Sequence, residues 1–273
     1  MTITSPGPDG GFEQDWTREP TYDPGYEETY LSASRIKKFQ RCPMSYKLEY
    51  IDGLSDQKVD KGHLALGSEV HESIETVLED DPPLEAARLA RDFKRAYGQQ
   101  GNDIPESMYD DGLGYLDVAA RYIDGHIEEL LEIEAQMDYG LSRSDIDSKF
   151  FGYIDLTTPT KVIDWKTGAI RGQSTATEEC IQGSIYMMGY YQLYGHPPEE
   201  VNFIHLKDQK ERSLDPSDEL WDEMIGYAAG LVQAIEIDDF PATPSDFCFF
   251  CGSEYSCPDP GAMGYGHVDW ETF

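Results

Sequence analysis

The run Gly152-Tyr153-Ile154-Asp155-Leu156-Thr157-Thr158-Pro159-Thr160-Lys161-Val162-Ile163-Asp164-Trp165-Lys166-Thr167-Gly168 decides how this chain folds. Lys149 to Thr157 and Lys161 to Lys166 read as short strands on either side of a Thr-Pro-Thr turn. A turn centred on Pro159-Thr160 sets Asp155 directly opposite Asp164, where cross-strand Cβ atoms lie about 4.5–5.5 Å apart. Asp164 and Lys166 are two apart and share a sheet face, while Ile163 and Trp165 point the other way into a core. Two carboxylates that close repel unless a cation sits between them, and oxygen ligands suit Mg²⁺ or Mn²⁺. A lysine beside such an ion can position and polarise a water next to a phosphate. Taken alone, Asp…Asp-x-Lys is short and common, and an exposed hairpin with an ordinary salt bridge explains it more simply.

Outward from the hairpin the pattern turns helical. A helix from about Gly67 to Glu79 carries Val70, Ile74, Val77 and Leu78 at helical spacing, with His71 beside that stripe. Further helical patterns cover roughly 84–98 and 112–137, the latter with Leu116, Ile123, Ile127, Leu130 and Leu131. After the hairpin come a helix at about 175–194, a strand from Val201 to Leu206 and a helix at about 217–236. Gln182 and Tyr186 stand at i, i+4, so both reach one spot. Ser32 or Ser34 caps an earlier helix bearing Ile36 and Phe39, interrupted at Cys42-Pro43. Residues 1–29 read as an acidic flexible tail and 259–273 as a C-terminal tail. With no repeat and no linker after residue 30, one α/β domain with a helical insertion over 30–258 is the simplest account.

The 273 residues carry a net charge of −32, yet 39% hydrophobic and 12% aromatic residues suffice for a core. No run approaches the ~18–20 apolar residues of a membrane helix, and no secretory signal opens the chain, so a cytoplasmic protein is expected. On composition alone a polyanion is the wrong partner. The acid surplus, however, extends across nearly the whole chain, as suits a halophile's salt-saturated cytoplasm, where screening over ~3 Å removes self-repulsion. One stretch breaks the pattern. From Leu31 to Leu48 stand Arg35, Lys37, Lys38, Arg41 and Lys47, with no acid among them.

Cys248-x2-Cys251-x5-Cys257 is metal-binding spacing that lacks a fourth ligand. Cys42, Cys180 and His267 are the alternatives for it. Cys180 falls inside a good helix and reads as a small buried hydrophobe. Cys42 at a helix break would clamp the two ends of the domain together. Residue chemistry leaves zinc and an iron–sulfur cluster both open.

In this order the residues resemble a known family. Leu31-Ser32-Ala33-Ser34-Arg35-Ile36-Lys37-Lys38-Phe39-Gln40-Arg41-Cys42-Pro43 is similar to the opening of RecB-like nucleases of the PD-(D/E)XK superfamily. The following Gly67-x3-His71, Asp155, Asp164-x-Lys166, Gln182-x3-Tyr186 and three terminal cysteines resemble the iron–sulfur branch, which includes the AddB nuclease domain and CRISPR-associated RecB-like exonucleases. The resemblance implies a restriction-endonuclease-like α/β core with a mixed sheet flanked by helices. It implies His71, Asp155, Asp164 and the Trp165 carbonyl as ligands of Mg²⁺ or Mn²⁺, and Lys166 as the residue that orients water. Gln182 and Tyr186 would hold the lysine or the DNA strand. Cys42, Cys248, Cys251 and Cys257 would bind a structural cluster of the 4Fe-4S type.

Arg35, Lys37, Lys38, Arg41 and Lys47 would then face DNA phosphates, and nearby Phe39, Tyr46 and Tyr50 either stack on bases or, more simply, join the core. The activity implied is single-stranded DNA exonuclease action in CRISPR adaptation or in DNA repair and replication. CRISPR-integration proteins or a helicase would be partners, the motor being a separate chain because no GxxxxGK[ST] occurs here. A catalytically idle, cluster-stapled DNA-binding or assembly subunit is the rival. It has no need of His71, Asp155, Asp164 and Lys166 together.

Overall fold

The computed structural model describes residues 30–54, 61–79, 91, 95, 104–127, 129–142, 146–245, 247–248, 251 and 256–259. The acidic tail, His267 and nearly all of the helical pattern at 84–98 lie outside them; Arg91 and Arg95 are helical.

Helix α1 (Ala33–Arg41) starts at Ser32, whose Oγ accepts the Arg35 N–H at 3.3 Å. It stops at Cys42 because Pro43 opens the next short helix, α2 (Pro43–Tyr46), at the position where a missing N–H costs nothing. One π-helical turn follows (Lys47–Ile51). Helix α3 (Lys61–Glu79) begins six residues before the expected Gly67. Helix α4 (Tyr109–His126) ends eleven residues short of the expected 137.

Strand β1 (Glu132–Ser142) occupies part of the missing helical stretch. Its sequence holds a clear period of two, since Ala135, Met137, Tyr139 and Leu141 are buried with polar or exposed residues between them. Leu130 and Leu131, which seemed to continue the helical stripe, belong to the approach to this strand. The hairpin of β2 (Asp147–Thr157) and β3 (Lys161–Lys166) follows, then α5 (Gln173–Tyr194), β4 (Glu200–His205), β5 (Lys210–Leu214) and α6 (Asp218–Ile237), the last capped by Ser217. Strand β5 is a correction too. Lys-Glu-Arg-Ser-Leu carries no apolar alternation and forms a strand only by lying on the edge against β4.

Among the described residues the sheet runs β1-β2-β3-β4-β5, antiparallel except for the β3–β4 pair, which α5 connects. Leu31 adds a single bridge to β2, donating to Lys149 O at 2.7 Å and accepting from the Phe151 N–H at 2.9 Å. Each face of the sheet has its own core. Ile154, Val162 and Phe203 pack with α1, α5 and α6, while Ile163, Trp165 and Ile204 pack with α3 and α4. The α/β architecture is therefore a mixed sheet flanked by helices, as expected.

The central helix is α5, buried continuously from Glu179 to Tyr190. It approaches β1 so closely that a Cβ on Gly189 would lie 2.0 Å from the Met137 sulfur. Tyr46 stacks on Phe240, Phe39 meets both rings edge-on and Tyr50 lies tilted against Tyr46, so the three aromatics of the basic segment serve the core.

Candidate active site

The β2–β3 ladder pairs Leu156 with Ile163 and Thr157 with Val162, the register set by a turn at Pro159-Thr160. Thr158 closes that turn, its N–H donating to Lys161 O (2.9 Å) and its Oγ1 accepting the Lys161 N–H (3.0 Å). The ladder stops after Leu156 and Ile163, one step short of the expected Asp155–Asp164 pair, and the Trp165 N–H donates instead to Asp155 Oδ2 at 2.8 Å. The Trp165 indole turns into the second core, edge-on to Tyr122.

Helix α3 brings His71 Nδ1 within 3.4 Å of Asp155 Oδ2. Burial works against charge on the imidazole, but the Asp155 carboxylate outweighs it and raises His71 to about 9. Asp155 itself is held below its ordinary value: burial pushes up, and His71 with the Trp165 N–H overrules it. Asp164 goes the other way, raised by burial against the Lys166 ammonium, with Asp155 adding to the rise. The two carboxylates thus shift in opposite directions within one cluster of charges.

Helix α5 completes the constellation. Gln182 Nε2 donates to Asp164 Oδ1 at 2.9 Å and to Tyr186 Oη at 2.5 Å, and the Tyr186 hydroxyl donates to the same Oδ1 at 2.8 Å. Asp164 Oδ1 is thus saturated. Oδ2 is buried without a hydrogen bond and faces the Lys166 ammonium, 2.5 Å away. Lys166 also donates to Gln182 Oε1 at 2.9 Å. A buried carboxylate with one oxygen satisfied and the other held only by a cation fits a divalent ion well. In the structure itself the groups stand as ion pairs, and among the described residues no three His, Cys, Asp or Glu side chains are placed to hold a metal ion.

The basic segment divides. Lys37 enters the site and donates to Gln182 Oε1 at 2.8 Å; burial and the neighbouring Lys166 push its ammonium down to about 7. The others have partners within the chain. Lys38 pairs with Glu49 and Arg41 with Glu178, while Lys47 reaches Asp238 at 2.9 Å and Asp52 at 3.7 Å. The Arg35 guanidinium donates to Tyr30 O at 3.0 Å and lies over the Tyr30 ring.

Residue patterns did not point to three further acids. Glu75, one turn beyond His71 on α3, could have been found from that i, i+4 spacing. Glu134 could not, because its left-handed backbone (φ 49°) in β1 leaves no trace in composition. Burial, Asp155 and Glu75 raise its carboxyl to about 7. Glu179 accepts from Arg212 at 2.7 Å and pairs with His205 at 2.6 Å, tying β4 and β5 to α5.

Cys42, Cys248, Cys251 and Cys257 line one small cavity together with Ser45, Thr243 and Phe247. The Thr243 N–H points at Cys42 Sγ and the Ser245 N–H at Cys248 Sγ, both at 3.4 Å. Burial raises the Cys257 thiol, with Cys42 and Cys251 adding to the rise. Backbone N–H groups thus point at two of the sulfurs, while in this structure the four side chains are not placed to hold a metal ion. Cys180 is elsewhere, 3.6 Å from Glu223 Oε2.

The mixed sheet carries Asp155, Asp164 and Lys166 close together, backed by His71 on α3 and by Gln182 and Tyr186 on α5. The chain belongs to the PD-(D/E)XK nuclease superfamily, whose family model matches residues 30–258. Solved structures similar to it include an Eubacterium rectale protein described as a candidate exonuclease (15% identity, 81% of this chain and 85% of that chain, TM-score 0.49). Another is SSO0001 (14% identity, 85% and 87%, TM-score 0.44). No curated protein matches the sequence. Among the described residues no helix is long and apolar enough to cross a membrane.

Proposed function

We propose that this chain is a metal-dependent DNA nuclease that hydrolyses phosphodiesters at Asp155, Asp164 and Lys166, acting as a single-stranded exonuclease of the RecB-like type. The observation that carries the reading is Asp164: Oδ1 saturated by Gln182 and Tyr186, Oδ2 buried and reserved for a cation. Asp155, Asp164, His71 and the Trp165 carbonyl would hold Mg²⁺ or Mn²⁺, which supplies positive charge against the phosphate and a lowered pKa for water. His71 must shed its proton to take part, and Asp155 is already ionised.

Lys166 donates a hydrogen bond that orients the attacking water, while Gln182 and Tyr186 fix the carboxylate it leans on. Water adds its oxygen to phosphorus as the bond to the leaving sugar oxygen breaks; one of its protons ends on that oxygen, directly or through solvent, and the other stays on the new phosphate or passes to solvent. Cys42, Cys248, Cys251 and Cys257 fit an iron–sulfur cluster of the 4Fe-4S type, with zinc as the alternative. The overall charge suits work in molar salt, where short contacts replace long-range steering. The biological setting that fits is CRISPR adaptation or DNA repair, beside integration proteins or a separate helicase.

The test incubates the full chain with end-labelled single- and double-stranded DNA and Mn²⁺ in molar KCl. Stepwise shortening of the single strand, absent in Lys166→Ala, is expected. No cleavage of either substrate under any salt condition overturns the reading.

A further inference from the structure

We propose that Lys37 is a positioning residue of this site, locking the Gln182 carboxamide in the one orientation that leaves Asp164 Oδ2 to a cation. The inference rests on the nuclease reading above for its kinetic consequence, and on geometry alone for the lock.

A carboxamide accepts at one end and donates at the other, and its two ends are similar in shape. At Gln182 the partners decide which is which. Lys37 Nζ at 2.8 Å and Lys166 Nζ at 2.9 Å both meet Oε1, and ammonium groups only donate. The opposite end meets Asp164 Oδ1 at 2.9 Å, which only accepts when ionised. Turning the amide over would set its NH₂ against two cations and its oxygen against a carboxylate. Lys166 shares its three donors between Oε1, Asp164 Oδ2 and the water it would orient, whereas Lys37 adds a second ammonium on Oε1 that has no part in that chemistry. Lys37 comes from α1, far from the hairpin in sequence, and its side chain is partly buried, so the hydrogen bond to Oε1 replaces part of the lost hydration. The other four bases of its segment are committed elsewhere, so Lys37 is the member of that stretch that reaches the reacting end of the sheet.

The order at Gln182 then spreads to Asp164. With Nε2 held inward, Oδ1 stays saturated and cannot rotate into the ion's place.

The test uses the full chain with Lys37→Met, which keeps the side-chain length, and Lys37→Arg, which keeps a donor. The Gln182 side-chain amide is observed by ¹H–¹⁵N NMR, assigned by its loss in Gln182→Met. Lys37→Met should speed its exchange with solvent roughly 10- to 100-fold, the scale of one charge-assisted hydrogen bond, and Lys37→Arg should restore part of the protection. In cleavage assays Lys37→Met should lower kcat by a similar factor with KM for DNA changed less than about threefold. Gln182→Met combined with Lys37→Met should be no worse than Gln182→Met alone. Unchanged amide exchange, unchanged kcat or additive losses would overturn the proposal. If the wild-type chain cleaves nothing, the nuclease reading fails, while the amide exchange still decides the lock.

Discussion

His71 Nδ1 stands 3.4 Å from Asp155 Oδ2, an ion pair that spans from helix α3 to the end of strand β2. The folded ring holds its proton to about pH 9, whereas an unfolded histidine loses it near ~6.5. The pair's contribution is therefore complete below about pH 6.5 and disappears as the pH rises through 9. In chelator-treated protein His71→Gln should be less stable than wild type near pH 6, by on the order of 1 kcal/mol given a ring 31% exposed. Melting curves should converge near pH 10. A gap that widens with pH would refute the pairing.

Lys166 donates to Gln182, faces Asp164 and lies over the Phe203 ring, but its side chain is 26% exposed. Lys166→Ala should thus leave the fold intact and reduce cleavage about 10²- to 10⁴-fold, the range of a lost proton-handling group. Circular dichroism and DNA affinity at wild-type values, with activity gone, are the expected result. Full activity in the variant would remove Lys166 from the reaction.

Helix α5 lies against β1 through Gly189, where any Cβ meets the Met137 side chain. Gly189→Ala should destabilise by about 1–3 kcal/mol through overpacking. Met137→Ala in the same chain should recover part of that loss. Urea melts of the single and double variants measure it; strictly additive losses would show that the two positions do not meet.

The cysteine cavity joins the end of α1 to the segment after α6. Anaerobically prepared protein should be brown and contain more iron than zinc, and Cys248→Ala should lose colour and melt several degrees lower. Stoichiometric zinc in place of iron would replace the cluster assignment.

The hairpin register, the outward core of Ile163 and Trp165, and the meeting of Gln182 with Tyr186 followed from periods of two and four in the chain. Each is set by near neighbours. Strand β1 was misread because Leu130 and Leu131 extend the spacing of α4 and mask the alternation that begins at Ala135. Strand β5 had no signal of its own, since a charged edge strand exists only through its partner. Lys37 looked like one of five equivalent bases. Only the path of α1 across α5 separates it from Lys38, Arg41 and Lys47. Glu134 depends on a backbone angle that residue type does not disclose.

Glu179 and Gln182 sit one turn apart on α5, the first tied to His205 and Arg212 and the second to Lys37, Lys166 and Asp164. One helix therefore fastens the sheet's outer edge and its reacting end at the same place. Glu179, His205 and Asp164 are buried and little reached by counter-ions, unlike the acidic exterior. On the proposed adaptation to molar salt, dilution would act on the molecule as a whole, removing copies from the folded population one at a time. The copies that remain would keep an undamaged site, so lost activity would follow the folded fraction and not a gradual loosening of the chemistry.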